Sequence, residues 1–515
     1  MVKLNLQSAM KHTVLSLVCL MGSTMAEDRP NIVFLFTDDQ RDGTLGAMGH
    51  PSIKTPHLDK MVESGVRFTN TYVVAPICAP SRVSVLTGMG QRKHGIGFSS
   101  SYELTEEQWK ETYPALLRES GYYTGFVGKF GVEFYEFKGD AGKQFDFWRA
   151  HDGWAKFFHQ EAPNCAVYKD AQSSIITEVM GESMVEFVAG VPEDKPFCLS
   201  VSFSTPHGSQ LRSMAAQDVA AHTDKRLEHH EVYGSLYRGD GEVQAHKEIS
   251  RDPYEMIPQH ILNQEAGRKQ LYAYWYEEEV NREFQIRYQQ LISGIDRAVG
   301  ELVRALEAKD LAENTVIIYG SDHGLLTGEY GMGGKSLLFD QAAKIPCFVY
   351  DPRQKSKEKG RSEDALVSSV DFTSTIMEFA GVAKARHMTG QSLVPLVRGE
   401  KVERREYLFL ESLYIGRGNP YQEGIRKGKW KYIRMFPTRR NFYREEHLDF
   451  TQVEPGLELL FNLEEDPREQ VNLVGQASEE SVLKELRELC AMESRNANQE
   501  RQDYMSHQGY LSVRR

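Results

Sequence analysis

The 515-residue chain carries 61 basic and 73 acidic side chains, a formal net charge of −12, with 40% hydrophobic and 26% charged residues. That is ordinary soluble globular composition, able to bury a large core, and its acidic balance argues against nucleic acid as a partner. An anionic substrate stays open, because the field inside a cleft is set by the few residues lining it.

No Pro/Ser/Gly-rich linker and no repeat period divides the chain, which favours one large α/β domain with an appendage. Lys3 and Lys11 precede an apolar run from Val14 to Met21 and small residues ending at Ala26. This predicts a secretory signal peptide over residues 1–26, since the run falls well short of the ~20 apolar residues that a spanning helix needs. An exported protein, periplasmic or secreted and without a membrane span, is expected. The cysteines, Cys19, Cys78, Cys165, Cys198, Cys347 and Cys490, are too few and scattered for a disulfide scaffold, although one bridge stays open. Cys198 and Cys347 sit in apolar, strand-like runs and read as core.

Asn31-Ile-Val-Phe-Leu-Phe36 is a continuous apolar run of strand length, followed directly by Thr37-Asp38-Asp39-Gln40. It predicts a buried strand with paired acids at its C-terminal end, where open parallel sheets bind ligands. Next comes Cys78-Ala79-Pro80-Ser81-Arg82, continued to Thr87-Gly88. This reads as a nucleophile at a helix start with a guanidinium one turn on. Pro80 suits the first helical position and Ser81 the cap, and a helix N-terminus favours negative charge.

Phe197–Phe203 followed by Thr205-Pro206-His207, and Thr315–Ser321 followed by Asp322-His323-Gly324, repeat the strand-then-polar pattern. The three strand ends are expected to converge on one site. From 208 to 281 the chain is polar, without strong periodicity, and reads as a surface insertion. Gln285 to Lys309 carries Leu291, Ile295, Val299, Leu302 and Leu306 at helical spacing, and strands alternating with helices predict a covered parallel sheet. Residues 27–400 are thus expected to form the catalytic domain. Short alternating runs at Lys429–Arg434 and Glu458–Asn462 predict an antiparallel subdomain over 401–480, then a surface helix and tail over 481–515.

Asp38-Asp39 and Asp322-His323 together supply oxygen donors for a hard divalent ion. His323 is an uncommon Ca²⁺ ligand and equally suits a transition metal or a substrate-binding role.

The stretch Cys78–Gly88 completes the pattern Cys-x-Pro-Ser-Arg-x-x-x-Leu-Thr-Gly. With Asp38-Asp39, Gly128-Lys129, Thr205-Pro206-His207, Ser321-Asp322-His323-Gly324, Gly334-Lys335 and Leu460-Phe461-Asn462-Leu463 in the same order, nearly all of the chain beyond residue 26 resembles the formylglycine-dependent sulfatase family of the alkaline-phosphatase-like superfamily. The resemblance implies a sandwich built on a large, mostly parallel sheet covered by helices, with a smaller C-terminal antiparallel subdomain. It implies that a formylglycine-generating maturation enzyme oxidises Cys78 to formylglycine, whose hydrated aldehyde attacks sulfur in line and then expels sulfate. A divalent cation, Ca²⁺, would be held by Asp38, Asp39, Asp322, His323 and the residue at position 78. Arg82, Lys129 and Lys335 would neutralise the ester, with Arg82 orienting the nucleophile and His207 and Lys335 serving the leaving oxygen.

One departure stands out. The family usually follows Gly-Lys with an aromatic and then a histidine that deprotonates the second hydroxyl, whereas this chain reads Gly128-Lys129-Phe130-Gly131. Either another base substitutes, with His94 or His207 as candidates, or that step is slow. A sulfated carbohydrate is the expected substrate, with Trp154, Tyr274 and Trp275 as stacking surfaces or else core. Arg434, Arg439 and Arg440 are read as contacts to a second acidic group or as a solvated basic face. Two alternatives share these residues: a phosphonate or phosphate ester hydrolase on the same site, and a catalytically impaired sulfated-glycan binder.

Overall fold

The computed structural model of the chain describes residues 29–98, 104–132, 141–214, 231–263, 272–354, 360–414, 416–437, 449–450 and 453–507. The expected signal peptide, Arg439, Arg440, the last tail residues and the Tyr274 side chain lie outside them. The strands are β1 (Asn31–Thr37), β2 (Val66–Tyr72), β3 (Tyr123–Lys129), β4 (Phe147–His151), β5 (Phe197–Ser202), β6 (Thr315–Ser321), β7 (Leu326–Thr327), β8 (Gly333–Gly334), β9 (Phe348–Tyr350), β10 (Arg361–Ser368), β11 (Tyr407–Ser412), β12 (Tyr421–Lys427), β13 (Trp430–Phe436) and β14 (Leu457–Asn462).

Eight of them form one sheet in the order β10-β2-β9-β6-β1-β5-β3-β4. Every pairing is parallel except those of β9, which runs antiparallel to β6 and β2. The central strands β1, β5 and β6 are buried along their whole length and mostly apolar because both faces are covered. Val33 and Leu35 of β1 join the core under the Ile176–Gly190 and Glu278–Ala308 helices. Ile32, Phe34 and Phe36 join the opposite core, under the Cys78–Thr87, Tyr113–Glu119 and Asp371–Phe379 helices. Each such fully buried side chain contributes ~1.5–3 kcal/mol by leaving water, so a polar residue at any position from Ile32 to Phe36 would strike one core or the other.

β11 to β14 form a separate antiparallel sheet. One face packs Ile433, Met435 and Phe461 against Phe339 and Leu338, and the other packs Ile425, Tyr432 and Leu460 against Leu483, Leu486 and Cys490 of the Glu480–His507 helix. Among the described residues, no helix is long and apolar enough to cross a membrane.

Packing revises several sequence readings. The described parts of 208–281 bury Leu211, Tyr233, Ile257, Leu262 and Trp275, so this stretch contributes core as well as surface. Trp275 is 0% exposed and is core rather than a stacking surface. Arg434 is no solvated face either, since it is buried in an ion pair with Glu423. All five described cysteines are free and buried, so the bridge left open by the sequence does not form among them.

Candidate active site

β1, β5 and β6 are neighbours in register, with Phe36 opposite Ser202 and Thr37 opposite Ser321. Their C-terminal ends therefore release Asp38-Asp39, Thr205-Pro206-His207 and Asp322-His323 at one edge of the sheet. The loops are laced together: Asp38 N donates to Thr205 O at 3.1 Å, and Asp322 N to Thr37 O at 2.9 Å. Asp39 takes a left-handed φ of 67°, a conformation that short polar side chains tolerate best, and its amide donates to Asp322 Oδ1 at 3.2 Å.

Cys78 is the first residue of its helix, with Ile77 as the cap residue and no side-chain cap bond. Pro80 is thus the third residue rather than the first. Ser81 is not the cap, and its buried hydroxyl has no partner among the described residues. The helix still aims Cys78 at the strand ends. Sγ accepts from Lys335 Nζ at 2.9 Å and lies 3.2 Å from His323 Nε2 and 3.6 Å from Asp38 Oδ1. His323 Nδ1 lies 2.9 Å from the carbonyl of Gly324, which turns Nε2 toward Cys78.

One turn along the helix, Arg82 donates to Asp322 Oδ2 from Nε at 3.0 Å and from Nη2 at 2.8 Å. Nη2 also lies 3.3 Å from Asp38 Oδ2, while Nη1 bonds Lys129 O at 3.2 Å and the Ser202 hydroxyl. Lys129 leaves the end of β3 to reach Asp38 Oδ2 at 2.5 Å. The approach depends on Gly128, where a Cβ would fall 2.1 Å from Ser202 O. Lys335 Nζ bridges Cys78 and Asp39 Oδ1, the latter at 2.7 Å. The antiparallel sheet holds this lysine's segment, with Gln422 Nε2 and Ser412 Oγ both donating to Ser336 O at 2.7 and 3.0 Å. His207 is looser: Nε2 lies 3.9 Å from Asp39 Oδ2, and Nδ1 accepts from Ser209 N at 3.1 Å.

Burial pushes the Asp38 carboxyl up, but Lys129, His207, Arg82 and Lys335 together hold it well below the usual carboxylate range. Asp39 is lowered likewise, with Lys335 the largest force opposing burial. Asp322 differs: burial and the neighbouring Asp38 lift it to about 6 against the pull of His323 and Arg82. Burial would lower His323, yet Asp322 carries it up to about 9. Burial and Asp38 raise the Cys78 thiol, and Lys129, Lys335 and His323 more than reverse this, bringing it well below its ordinary value. The site thus stabilises an anion at position 78.

The ligand atoms of Asp38, Cys78, Asp322 and His323 lie within 4.8 Å of one another, as do those of Asp38, Asp39, Cys78 and His207. Carboxylate oxygens from two strand ends suit a hard divalent cation, with one imidazole as the softer donor, so the donor set fits such an ion.

All nine residues named from the motifs therefore meet at one edge of the sheet. Of the two histidines considered as substitutes for the one missing at Gly131, His207 borders the site. His94 does not serve it: its ring meets Ser84 Oγ at 3.0 Å, accepts from Ile96 N at 3.0 Å, and burial lowers it to about 3. Two residues not singled out from the sequence also reach the site, Ser202 on Arg82 and Tyr288, whose hydroxyl donates to Asp39 O at 2.7 Å, while His151 closes β4 in register with Lys129. A strand ending in a titratable residue was the available signal for His151, but Phe-Trp-Arg-Ala-His is too short and polar to read as a strand. Trp154, 61% exposed, lies over His207 with ring centroids 6.4 Å apart and planes at 22°.

Comparisons with known proteins agree with this geometry. The family model described as Sulfatase matches residues 30–382, and that described as N-sulphoglucosamine sulphohydrolase, C-terminal, matches residues 328–496. The chain is 24% identical over 505 residues to an N-acetylglucosamine-6-O-sulfatase of Bacteroides thetaiotaomicron, covering 90% of this chain and 85% of that protein. It is 26% identical over 504 residues to an arylsulfatase of Clostridium perfringens, covering 90% and 94%. A solved structure described as a complex with its substrate D-glucosamine-2-N,6-O-disulfate shares the fold at a TM-score of 0.64 and 22% identity, covering 92% of this chain and 98% of that one. The phosphonate monoester hydrolase of Agrobacterium radiobacter shares it at 0.65 and 20% identity, covering 91% and 96%.

Proposed function

The chain belongs to the sulfatase family, the family model running through residues 30–382, and from that premise we propose that it is an exported, Ca²⁺-dependent sulfatase removing sulfate from a sulfated carbohydrate. The observation that carries this reading is the meeting of Cys78, Lys335 and His323 between two acid-bearing strand ends. Oxidised to formylglycine by a maturation enzyme, residue 78 would supply a hydrated aldehyde as an oxygen nucleophile. A divalent cation held by Asp38, Asp39, Asp322, His323 and residue 78 would acidify that hydroxyl and polarise the sulfate ester.

The remaining roles follow from what each side chain touches. Arg82, fixed by Asp322 and Asp38, orients the nucleophile and presents positive charge to the ester. Lys129 neutralises charge beside it. Lys335, 2.9 Å from Sγ, and His207 at the open rim are the donors placed for the leaving oxygen. Catalysis then rests on charges fixed in place before substrate arrives.

The direct test is turnover of an aryl sulfate against an aryl phosphate, followed by 6-sulfated glucosamine. The sulfate ester is expected to win in kcat/KM. A preference for phosphate or phosphonate esters would instead establish the alternative reading, whose support is the fold shared with the phosphonate hydrolase. Chelation supplies a second result: EDTA is expected to abolish sulfate release and lower Tm, and added Ca²⁺ to restore both. Loss of a ligand present at 100 to 1,000 times its Kd removes ~3–4 kcal/mol of stability. Unchanged Tm and activity after exhaustive chelation would remove the metal from the reading.

Trp154 supports the carbohydrate assignment, since an exposed indole beside His207 offers an apolar face to a sugar ring. Trp154→Ala is expected to raise KM for the glycan ~2–10-fold, the loss of ~0.5–1.5 kcal/mol of ring contact, with kcat unchanged. Steady-state kinetics on a sulfated oligosaccharide would show it. An unchanged KM would place the sugar elsewhere.

A further inference from the structure

The strand pair β11 and β12 carries two pairs of polar residues that work on opposite faces. Its register sets Glu411 opposite Glu423 and Ser412 opposite Gln422, and successive side chains of a strand point to opposite sides of the sheet. On one side, Ser412 Oγ and Gln422 Nε2 donate to Ser336 O, and Gln422 Oε1 accepts from Leu338 N at 3.1 Å. Ser336 N in turn donates to Pro76 O at 3.0 Å, just ahead of Cys78. On the other side, both carboxylates take the Arg92 guanidinium: Nε donates to Glu411 Oε2 at 3.0 Å and Nη2 to Glu423 Oε1 at 2.5 Å. The Arg92 amide adds a bond to Glu411 Oε1 at 2.8 Å.

Arg92 belongs to the Gln91–His94 helical turn that follows the Cys78–Thr87 helix. His94 of the same turn meets Ser84 Oγ of that helix at 3.0 Å, so the turn is fastened to it. The Glu480–His507 helix closes the cluster from outside, with Ser494 Oγ and Asn498 Oδ1 accepting from Arg92 Nη1 at 3.2 and 3.1 Å and Arg501 Nη1 donating to Arg92 O at 2.6 Å. Arg434 Nε donates to Glu423 Oε2 at 2.8 Å. Arg92 is 1% exposed, Glu423 0% and Glu411 5%, so two guanidinium groups and two carboxylates are buried together. Desolvation cancels most of what such a cluster gains in stability, whereas the fork of an Arg–carboxylate pair tolerates little displacement. That combination suits a device that sets register better than a source of stability.

Resting on the sulfatase reading, we infer that Arg92, Glu411 and Glu423 are positioning residues that set Lys335 Nζ against residue 78, where it serves the leaving oxygen. The connections close on themselves. From Cys78 the helix leads through Ser84 and His94 to the turn that bears Arg92, and Arg92 fixes Glu411 and Glu423. The register of those strands puts Ser412 and Gln422 on Ser336 O, and Lys335, the preceding residue, returns with Nζ 2.9 Å from Sγ. The nucleophile and the cation opposite it are thus carried by separate segments, and β11 with β12 is the piece that spans them. All three residues act through the Lys335 segment and not on substrate.

The test is kcat/KM across a series of aryl sulfates whose phenols differ in acidity, measured for the unaltered protein, Arg92→Lys, Lys335→Ala and the double variant. Arg92→Lys keeps the charge and loses the fork. It is expected to cost up to ~10²-fold on phenyl sulfate, the scale of a ~1 Å misplacement, and less than ~2-fold on 4-nitrophenyl sulfate, whose leaving oxygen needs little help. In the Lys335→Ala background the same substitution is expected to add nothing, because residues that act through one group are not additive. Ser412→Ala, which removes one of the two bonds to Ser336 O, is expected to steepen the series in the same sense, and serves where Arg92→Lys does not fold. A loss equal across the series, or one that multiplies with that of Lys335→Ala, is what a merely structural role gives and overturns the proposal, as does an unchanged series in both variants. Absence of sulfate release by the unaltered protein carrying the aldehyde is a separate result that overturns the sulfatase reading itself.

Discussion

Cys78→Ala is expected to abolish sulfate release, by at least about 10⁴-fold, while leaving the thermal unfolding of the protein nearly unchanged. The activity loss follows from removing the residue whose oxidation would supply the aldehyde, and removal of a covalent catalytic group is among the largest single effects known. The small structural cost follows from local contacts. Cys78 is buried, but alanine differs from it by a single heavy atom, Sγ. Lys335, which loses Sγ at 2.9 Å, keeps Asp39 Oδ1 at 2.7 Å and is not stranded. A sulfate assay beside a thermal scan tests both halves. The companion measurement is mass spectrometry of the residue-78 peptide from the native host, where the conversion of cysteine to formylglycine lowers the mass. Unmodified cysteine there, or full activity in the alanine variant, would refute the nucleophile assignment.

Arg82→Ala is expected to lose stability as well as activity. Its guanidinium is 3% exposed and holds Asp322 through two hydrogen bonds, Asp38 at 3.3 Å, the Lys129 carbonyl and Ser202. Removing it leaves Asp322, already raised to about 6 by burial and by Asp38, with His323 alone of its two counter-charges. Breaking a buried pair by deleting one partner costs ~3–5 kcal/mol, which urea unfolding would register as a lower midpoint at unchanged slope. The loss of fixed positive charge at the ester is expected to cost a further ~10²–10³ in kcat. Arg82→Lys retains the charge but not the fork, so it is expected to recover part of the stability and little of the rate. A stable and active Arg82→Ala would show that Arg82 is a bystander.

Much of this architecture was legible in the chain because its signals are local. Ile32–Phe36 and Val316–Tyr319 are apolar at every position since both faces of a central parallel strand are covered, and the polar residues that follow them mark where the sheet edge begins. The Cys78–Gly88 stretch is likewise one short helix whose spacing alone sets Arg82 a turn beyond Cys78. Other features were not readable, each for a physical reason. Trp154 and Trp275 are the same residue type in similarly polar sequence, yet one is 61% exposed and the other 0%, because burial depends on what folds over each ring. Arg434 looked like a surface charge until β12 brought Glu423 opposite it. Ser81 looked like a cap until the helix began three residues earlier.

By itself the sequence determined the family, the order of the strands that carry acids, and the identities of the groups brought to one edge, since these depend on residue type and short-range period. Only the tertiary structure decided which of those groups touch, and which are left with an unmet bond. Cys78 lies 245 positions before His323 and 257 before Lys335, and the three meet through the parallel register of β1 with β6 and through the antiparallel sheet that holds Ser336. Ser81 is left with a buried hydroxyl that meets no partner among the described residues. A lone pair without a partner is a property of the surroundings rather than of the residue, and no reading of the chain in one dimension contains it.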